Sequence, residues 1–234
     1  MIGMTPTHSR VLAVVLLAAF AATGCGRAAQ SAARAAPQPA AASQYGDAAA
    51  IARARADSLR HPYTAADVHF MTAMIGHHAQ AIVMAGLAPT HGASASVRTL
   101  AERIINAQRD EITTMQHWLR DRQQPVPEVS ATGATTMAHG SGHHDMAMPG
   151  MLTDAQMKEL DQARGAEFDR LFLTYMIQHH RGAVAMVSEL FGTFGAGQDE
   201  TVFKFASDVN VDQITEIARM EQMLVALLFE RGTP

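Results

Sequence analysis

Two stretches of this 234-residue chain carry the side chains best suited to chemistry. MIGHHAQAIVM, from Met74 to Met84, and MIQHHRGAVAM, from Met176 to Met186, share the pattern Met-x2-His-His-x5-Met. Thioether sulfur is a soft ligand and imidazole a borderline one. Together they suit copper, and Cu(I) above all, better than magnesium or calcium, although zinc, nickel or silver accept some of the same donors. The pattern therefore predicts a protein whose partner is a metal ion, rather than a conventional enzyme.

The repeat extends past the histidines. Phe70, Met74, His77, His78, Ala81 and Met84 match Phe172, Met176, His179, His180, Ala183 and Met186; farther along, Gln108, Glu111, Ile112 and Met115 match Gln213, Glu216, Ile217 and Met220. At helical spacing Phe70, Met74, His77, Ala81 and Met84 form one apolar seam, and Val68, Met71, Ile75, His78, Ile82 and Ala85 the adjacent one. His77 and His78 then point about 100° apart around the axis and do not chelate one ion as simple neighbours. One histidine of each pair is expected to bind metal with a methionine, the other to bind separately or to serve as a hydrogen-bonding group. Glu111 and Glu216 share seams with Ile104, Gln108 and Met115, and with Val209, Gln213 and Met220. A buried carboxylate needs a partner. Each glutamate either accepts an N–H from an imidazole and orients it towards metal, or ligates directly. The competing explanation is purely structural, because histidines on apolar helix faces are often hydrogen-bonded core residues and methionines often fill gaps.

A further donor set lies between the two halves of the repeat. From Met137 to Met151 the chain reads MAHGSGHHDMAMPGM, with His139, His143, His144, Met146 and Met148 in a glycine-containing context. No core is expected there to account for apolar side chains, so the segment reads as a metal-capture tract, the alternative being a compositionally biased linker.

Positioning these groups requires helices. Thr64-x-x-Asp67 resembles a capping box and opens a helix to about Ala88, ahead of Pro89. A second is predicted from Ser94 or Ser96 to about Arg122, before Pro125 and Pro127. The third opens at Thr153-x-x-Gln156 and runs, bent near Gly165, to about Phe191. The fourth runs from near Asp199 to Arg231-Gly232. Alternation of strand type is missing, so the expected fold is all-α: two similar helical hairpins packed about a pseudo-two-fold axis into a four-helix bundle, each covering the face the other cannot bury alone. This helical metal-binding domain spans 46–234, with 124–152 as the linker between hairpins.

The N-terminus reads differently. His8 and Arg10 precede an apolar run, Val11 to Ala22, too short to span a bilayer, and Ala22-Thr23-Gly24-Cys25 follows. Residues 1–25 are thus expected to be an export signal, of lipoprotein type if Cys25 becomes a lipid anchor. Residues 26–45, rich in Ala, Gln, Pro and Ser, lack a hydrophobic period and are predicted to form a disordered tether. Cys25 is the only cysteine, so no disulfide can form within the chain. A metal site built without thiols fits an oxidising compartment. The net charge of −4, without clustered Lys or Arg, argues against nucleic acid as a partner.

The Met-x2-His-His-x5-Met helices, each followed by a helix carrying Gln-x2-Glu-Ile-x2-Met, resemble the bacterial CopM-like family. Its members are catalogued as a domain of unknown function; they are exported, four-helix, ferritin-like proteins associated with copper binding and resistance. The resemblance covers about Thr64 to Phe229. It carries the family's binding motif onto Met74, His77, His78 and Met84, and onto Met176, His179, His180 and Met186, and the Met/His tract is similar to tracts in copper-handling members. It implies copper sequestration, buffering or transfer in the periplasm or at the envelope, with a copper-handling protein as a possible partner, and no catalytic step. Two rival classes remain. A di-metal oxidase on the same bundle needs Glu-x-x-His, but Thr114 follows Glu111 at that spacing and Arg219 follows Glu216. A structural or partner-binding envelope lipoprotein would use its histidines for packing or pH response.

Overall fold

The computed structural model describes residues 48–56, 59, 62–130, 135–136 and 148–230. The export signal, Cys25, the 26–45 tether and His139, His143, His144 and Met146 lie outside the described residues.

Helix α1, Ala65–Gly86, starts where the capping box predicts. Asp67 Oδ2 accepts the Thr64 N–H at 2.6 Å, and the Thr64 hydroxyl accepts the Asp67 N–H at 3.3 Å. Helix α2, Ala95–Asp121, is capped by the Ser94 hydroxyl. A two-stranded antiparallel ladder, β1 (Glu128–Val129) with β2 (Thr135–Thr136), follows where no strand was expected. Its strands are too short to show alternation in the sequence. The expected bent third helix is two helices, α3 (Asp154–Gln162) and α4 (Gly165–Gly192). Ala163 and Arg164 are extended between them and Gly165 has φ +60, so the chain turns a corner there. The Gly165 N–H donates to the His91 carbonyl at 2.8 Å, anchoring that corner to the first hairpin. Helix α5 is Glu200–Glu230.

Helix α1 packs on α2, α4 on α5, and the two hairpins meet through α1 and α4. Reciprocal ties reinforce this pairing. Asp67 on α1 accepts the Gly197 N–H at 2.7 Å, and its counterpart Asp169 on α4 accepts the Ser94 N–H with both carboxylate oxygens at 3.2 Å. Each hairpin thus holds the loop of the other by a buried carboxylate, as a pseudo-two-fold arrangement requires.

The interior separates into two apolar cores. The first contains Phe70, Met74, Met115, Met186 and Val209; the second contains Met84, Ile104, Phe172, Met176 and Met220. All four long helices contribute to both. Along each helix the histidines, glutamines and glutamates of the repeat fall between the residues given to one core and those given to the other, making a polar layer inside the bundle.

Candidate metal centre

Helical phase and hairpin pairing bring the repeat motifs together. His77, His78, His179 and His180 are buried, each at 0–1% exposure. The rings of His77 and His179 face each other across the α1–α4 contact with centroids 3.8 Å apart. Neighbours on one helix are separated as the sequence predicts, by 6.5 Å for His77 and His78 and 6.3 Å for His179 and His180.

The outer histidine of each pair meets its glutamate. His180 Nε2 lies 2.7 Å from Glu216 Oε2 in a hydrogen bond, and His78 Nε2 lies 2.7 Å from Glu111 Oε2 in a close but less well aligned contact. An Nε2–H donating to a carboxylate leaves Nδ1 as a bare lone pair. His77 reaches the same state differently, since its Nε2 must donate to the Pro149 carbonyl at 3.0 Å. In His77 and His180 the Nδ1 atom is buried without a partner, and in His78 and His179 neither ring nitrogen has a hydrogen-bond partner. The side-chain carbonyls of Gln108 and Gln213 are likewise buried and unpaired. Buried polar atoms are normally satisfied. This concentration of orphaned nitrogens and oxygens in one layer fits a site made for a ligand that accepts lone pairs.

The repeat's methionines fall in the two cores between which this layer lies. Met74, Met115 and Met186 lie in the first core, and Met84, Met176 and Met220 in the second. Each trio draws on three helices, and the pseudo-two-fold axis exchanges the trios. Among the described residues, no three His, Cys, Asp or Glu side chains form a group able to hold a metal ion.

Burial also sets the charge state. His77 is lowered to about 3, first by desolvation and then by His78, against the pull of the Pro149 carbonyl. His179 is lowered too, first by desolvation and then by His77. Both rings are therefore neutral near pH 7, the state in which imidazole binds metal. Because the folded pKa of His77 is about 3 against an ordinary 6.5, the unfolded chain takes up more protons between those values and stability falls as pH drops through that window. The expected result is an unfolding midpoint that declines from pH 7 to pH 4 by calorimetry, and declines less in a His77→Gln/His179→Gln variant. Equal pH slopes in the two proteins would contradict it.

The end of the Met/His tract reaches the site in a way the sequence did not reveal. Met148, expected in a coreless loop, is half-buried against the first core, because the chain after it is strapped down on α1 and α4. Gln80 exchanges two hydrogen bonds with Leu152, donating to its carbonyl at 3.0 Å and accepting its N–H at 2.8 Å. Gln178 donates to the Gly150 carbonyl at 3.3 Å. Gly150 has φ +77, and a Cβ on Gly182 would lie 1.9 Å from the Pro149 oxygen, so both glycines are needed for this close approach. Sequence reasoning missed Pro149, Gly150, Gly182 and Gln80 as parts of the site. The one available signal was that Gly182 stands where its repeat partner is Gln80.

The family profile described as "Domain of unknown function (DUF305)" matches residues 67–224, and the chain belongs to that family. A DUF305 fragment from Deinococcus radiodurans is similar at 30% identity with a TM-score of 0.58, the match covering 70% of this chain and 99% of that one. A DUF305 protein from Streptomyces coelicolor, assigned to the secreted class, is 30% identical with a TM-score of 0.57, covering 69% and 92%. CopM in its Cu(II)-bound form is 31% identical with a TM-score of 0.51, covering 68% and 96%. CopM in its Cu(I)-bound form is 29% identical with a TM-score of 0.50, covering 67% and 94%. No curated protein sequence matches the chain. Among the described residues no helix is long and apolar enough to cross a membrane.

Proposed function

We propose that this protein is an exported copper-binding protein that buffers, sequesters or passes on the metal, and that it carries out no catalytic turnover. One observation carries the reading: four buried imidazoles present unpaired nitrogens in a single layer between two cores, each of which holds three of the repeat's methionines. Thioether sulfur beside imidazole nitrogen is the donor set that favours Cu(I). His77, His78, His179 and His180 are the nitrogen ligands, with Met74, Met115 and Met186 or Met84, Met176 and Met220 as the sulfur ligands. Glu111 and Glu216 orient the imidazoles from behind, since each contacts Nε2 while Nδ1 stays open. The relationship to CopM, whose Cu(I)-bound and Cu(II)-bound forms are known, supports the choice of metal.

Lipidation at Cys25, with residues 26–45 as tether, would hold the bundle at the envelope. His139, His143, His144, Met146 and Met148 would collect metal, and a copper-handling protein is the natural recipient.

Titration of residues 46–234 with copper, with and without reductant and against a competing chelator, tests the proposal. Stoichiometric binding is expected, and the His77→Ala/His78→Ala/His179→Ala/His180→Ala variant should lose it. Undiminished binding in that variant would move the sites to the tract or the surface.

A further inference from the structure

We propose that the acid-lined flank formed by α2 and α5 is the route by which a metal cation reaches the buried histidines, and that the Asp212 carboxylate draws the ion in. This rests on the copper-binding reading above. The histidine layer has two flanks, and the strap closes one of them. Pro149 sits on His77, Gly150 against Gln178 and Gly182, and Leu152 on Gln80. The other flank is built differently. Glu111 from α2 and Glu216 from α5 have side chains 19% and 20% exposed, while the rings they contact are at 0%. These carboxylates therefore connect solvent to imidazole.

Asp212 stands exposed one turn before Glu216. Four residues apart on one helix, Asp212 and Glu216 share a face, and the Asp212 carboxyl is pushed up by partial burial and then by Glu111 and Glu216. Like charges held together are costly unless a cation visits them. An independent observation points to the same visitor. Gln108 and Gln213, each 2% exposed, lie three residues before Glu111 and Glu216 on the same helix faces, and their side-chain oxygens have no partner. The flank thus offers oxygen donors from the surface inwards. Carboxylate and amide oxygens are hard ligands that hold a soft cation loosely, which suits passage to the nitrogen and sulfur donors beyond.

The repeat supplies a control. The pseudo-symmetric counterpart of Asp212 is Ala107, so the bundle does not need a carboxylate there for packing. One half has it and the other lacks it.

The test follows metal uptake by the full chain in stopped flow, with Ag(I) nitrate as a redox-inert probe and Cu(I) as the second. Asp212→Asn is expected to slow association about threefold to tenfold at low ionic strength, with the difference vanishing in high salt as the charge is screened. Final stoichiometry should be unchanged. Ala107→Asp, which adds the missing counterpart, should speed uptake, whereas Glu102→Gln, the same change of charge elsewhere on α2, should leave it as in the parent. Equal rates in the parent, Asp212→Asn and Ala107→Asp would overturn the route while leaving copper binding standing. A parent protein that takes up no metal would overturn both.

Discussion

The variant Met74→Leu/Met115→Leu/Met186→Leu is expected to lose half of the high-affinity Cu(I) capacity of the bundle, the affected half weakening by at least about 100-fold, or about 2.8 kcal/mol. The three thioethers come from three helices and share one core beside the histidine layer. Leucine nearly conserves volume, at a cost under about 1.5 kcal/mol per site, so the fold survives while the soft donors disappear. The counterpart Met84→Leu/Met176→Leu/Met220→Leu should remove the other half, because the pseudo-two-fold axis exchanges the two trios. Cu(II), which is content with imidazole nitrogen, should be affected much less in either variant. Competition against a Cu(I)-specific chromophoric chelator measures this directly. If either triple variant kept full capacity, the methionines would be core filler and the imidazoles alone would hold the metal.

Asp199→Ala is expected to destabilise the bundle by about 3–5 kcal/mol, the range for breaking a buried ion pair from one side. Asp199 is 2% exposed and ties the end of α2 to the start of α5. It accepts from Trp118 Nε1 at 3.0 Å and from Arg122 Nη2 at 2.6 Å, and also from the backbone N–H groups of Thr201 and Val202 at the first turn of α5. Without the carboxylate, the Arg122 guanidinium, 7% exposed, is left buried and uncompensated. It also lies 4.4 Å from the Trp118 ring, which does not replace the lost charge. Denaturant unfolding should show a lowered midpoint with little change in slope. The double variant Arg122→Met/Asp199→Ala should recover part of the loss, because removing both partners leaves no orphaned charge. No shift in Asp199→Ala would mean that water satisfies Arg122.

Much of the positioning was legible in the chain. Periodicity of 3.6 placed Phe70, Met74, His77 and Met84 on one helix seam, and Thr64 and Thr153 announced their helix starts through capping partners that the structure pairs. The separation of His77 from His78 followed from helical phase alone, and the two rings are indeed 6.5 Å apart. The bend near Gly165 was legible but the full break at 163–164 was not, because Ala-Arg has no strong preference and the corner is held by bonds to the remote His91, from the Gly165 N–H to its carbonyl and from its ring to the Asp161 carbonyl. Nor was the structured end of the tract. Met148, Pro149 and Gly150 read as loop composition, and their fixed position depends on Gln80, Gln178 and Gly182, which are remote in sequence.

The sequence by itself determined the donor types, their duplication and the helix faces that carry them, since these depend on residue identity and on a local period that every helix obeys. Tertiary structure decided what those donors meet. Only the packing of α1 against α4 sets the His77 and His179 rings 3.8 Å apart, and only the packing of each hairpin puts Glu111 on His78 and Glu216 on His180. Packing across the bundle also sorts six methionines into two trios. These contacts join residues far apart along the chain, and their distances follow from how side chains fill a shared interior, which no local pattern encodes.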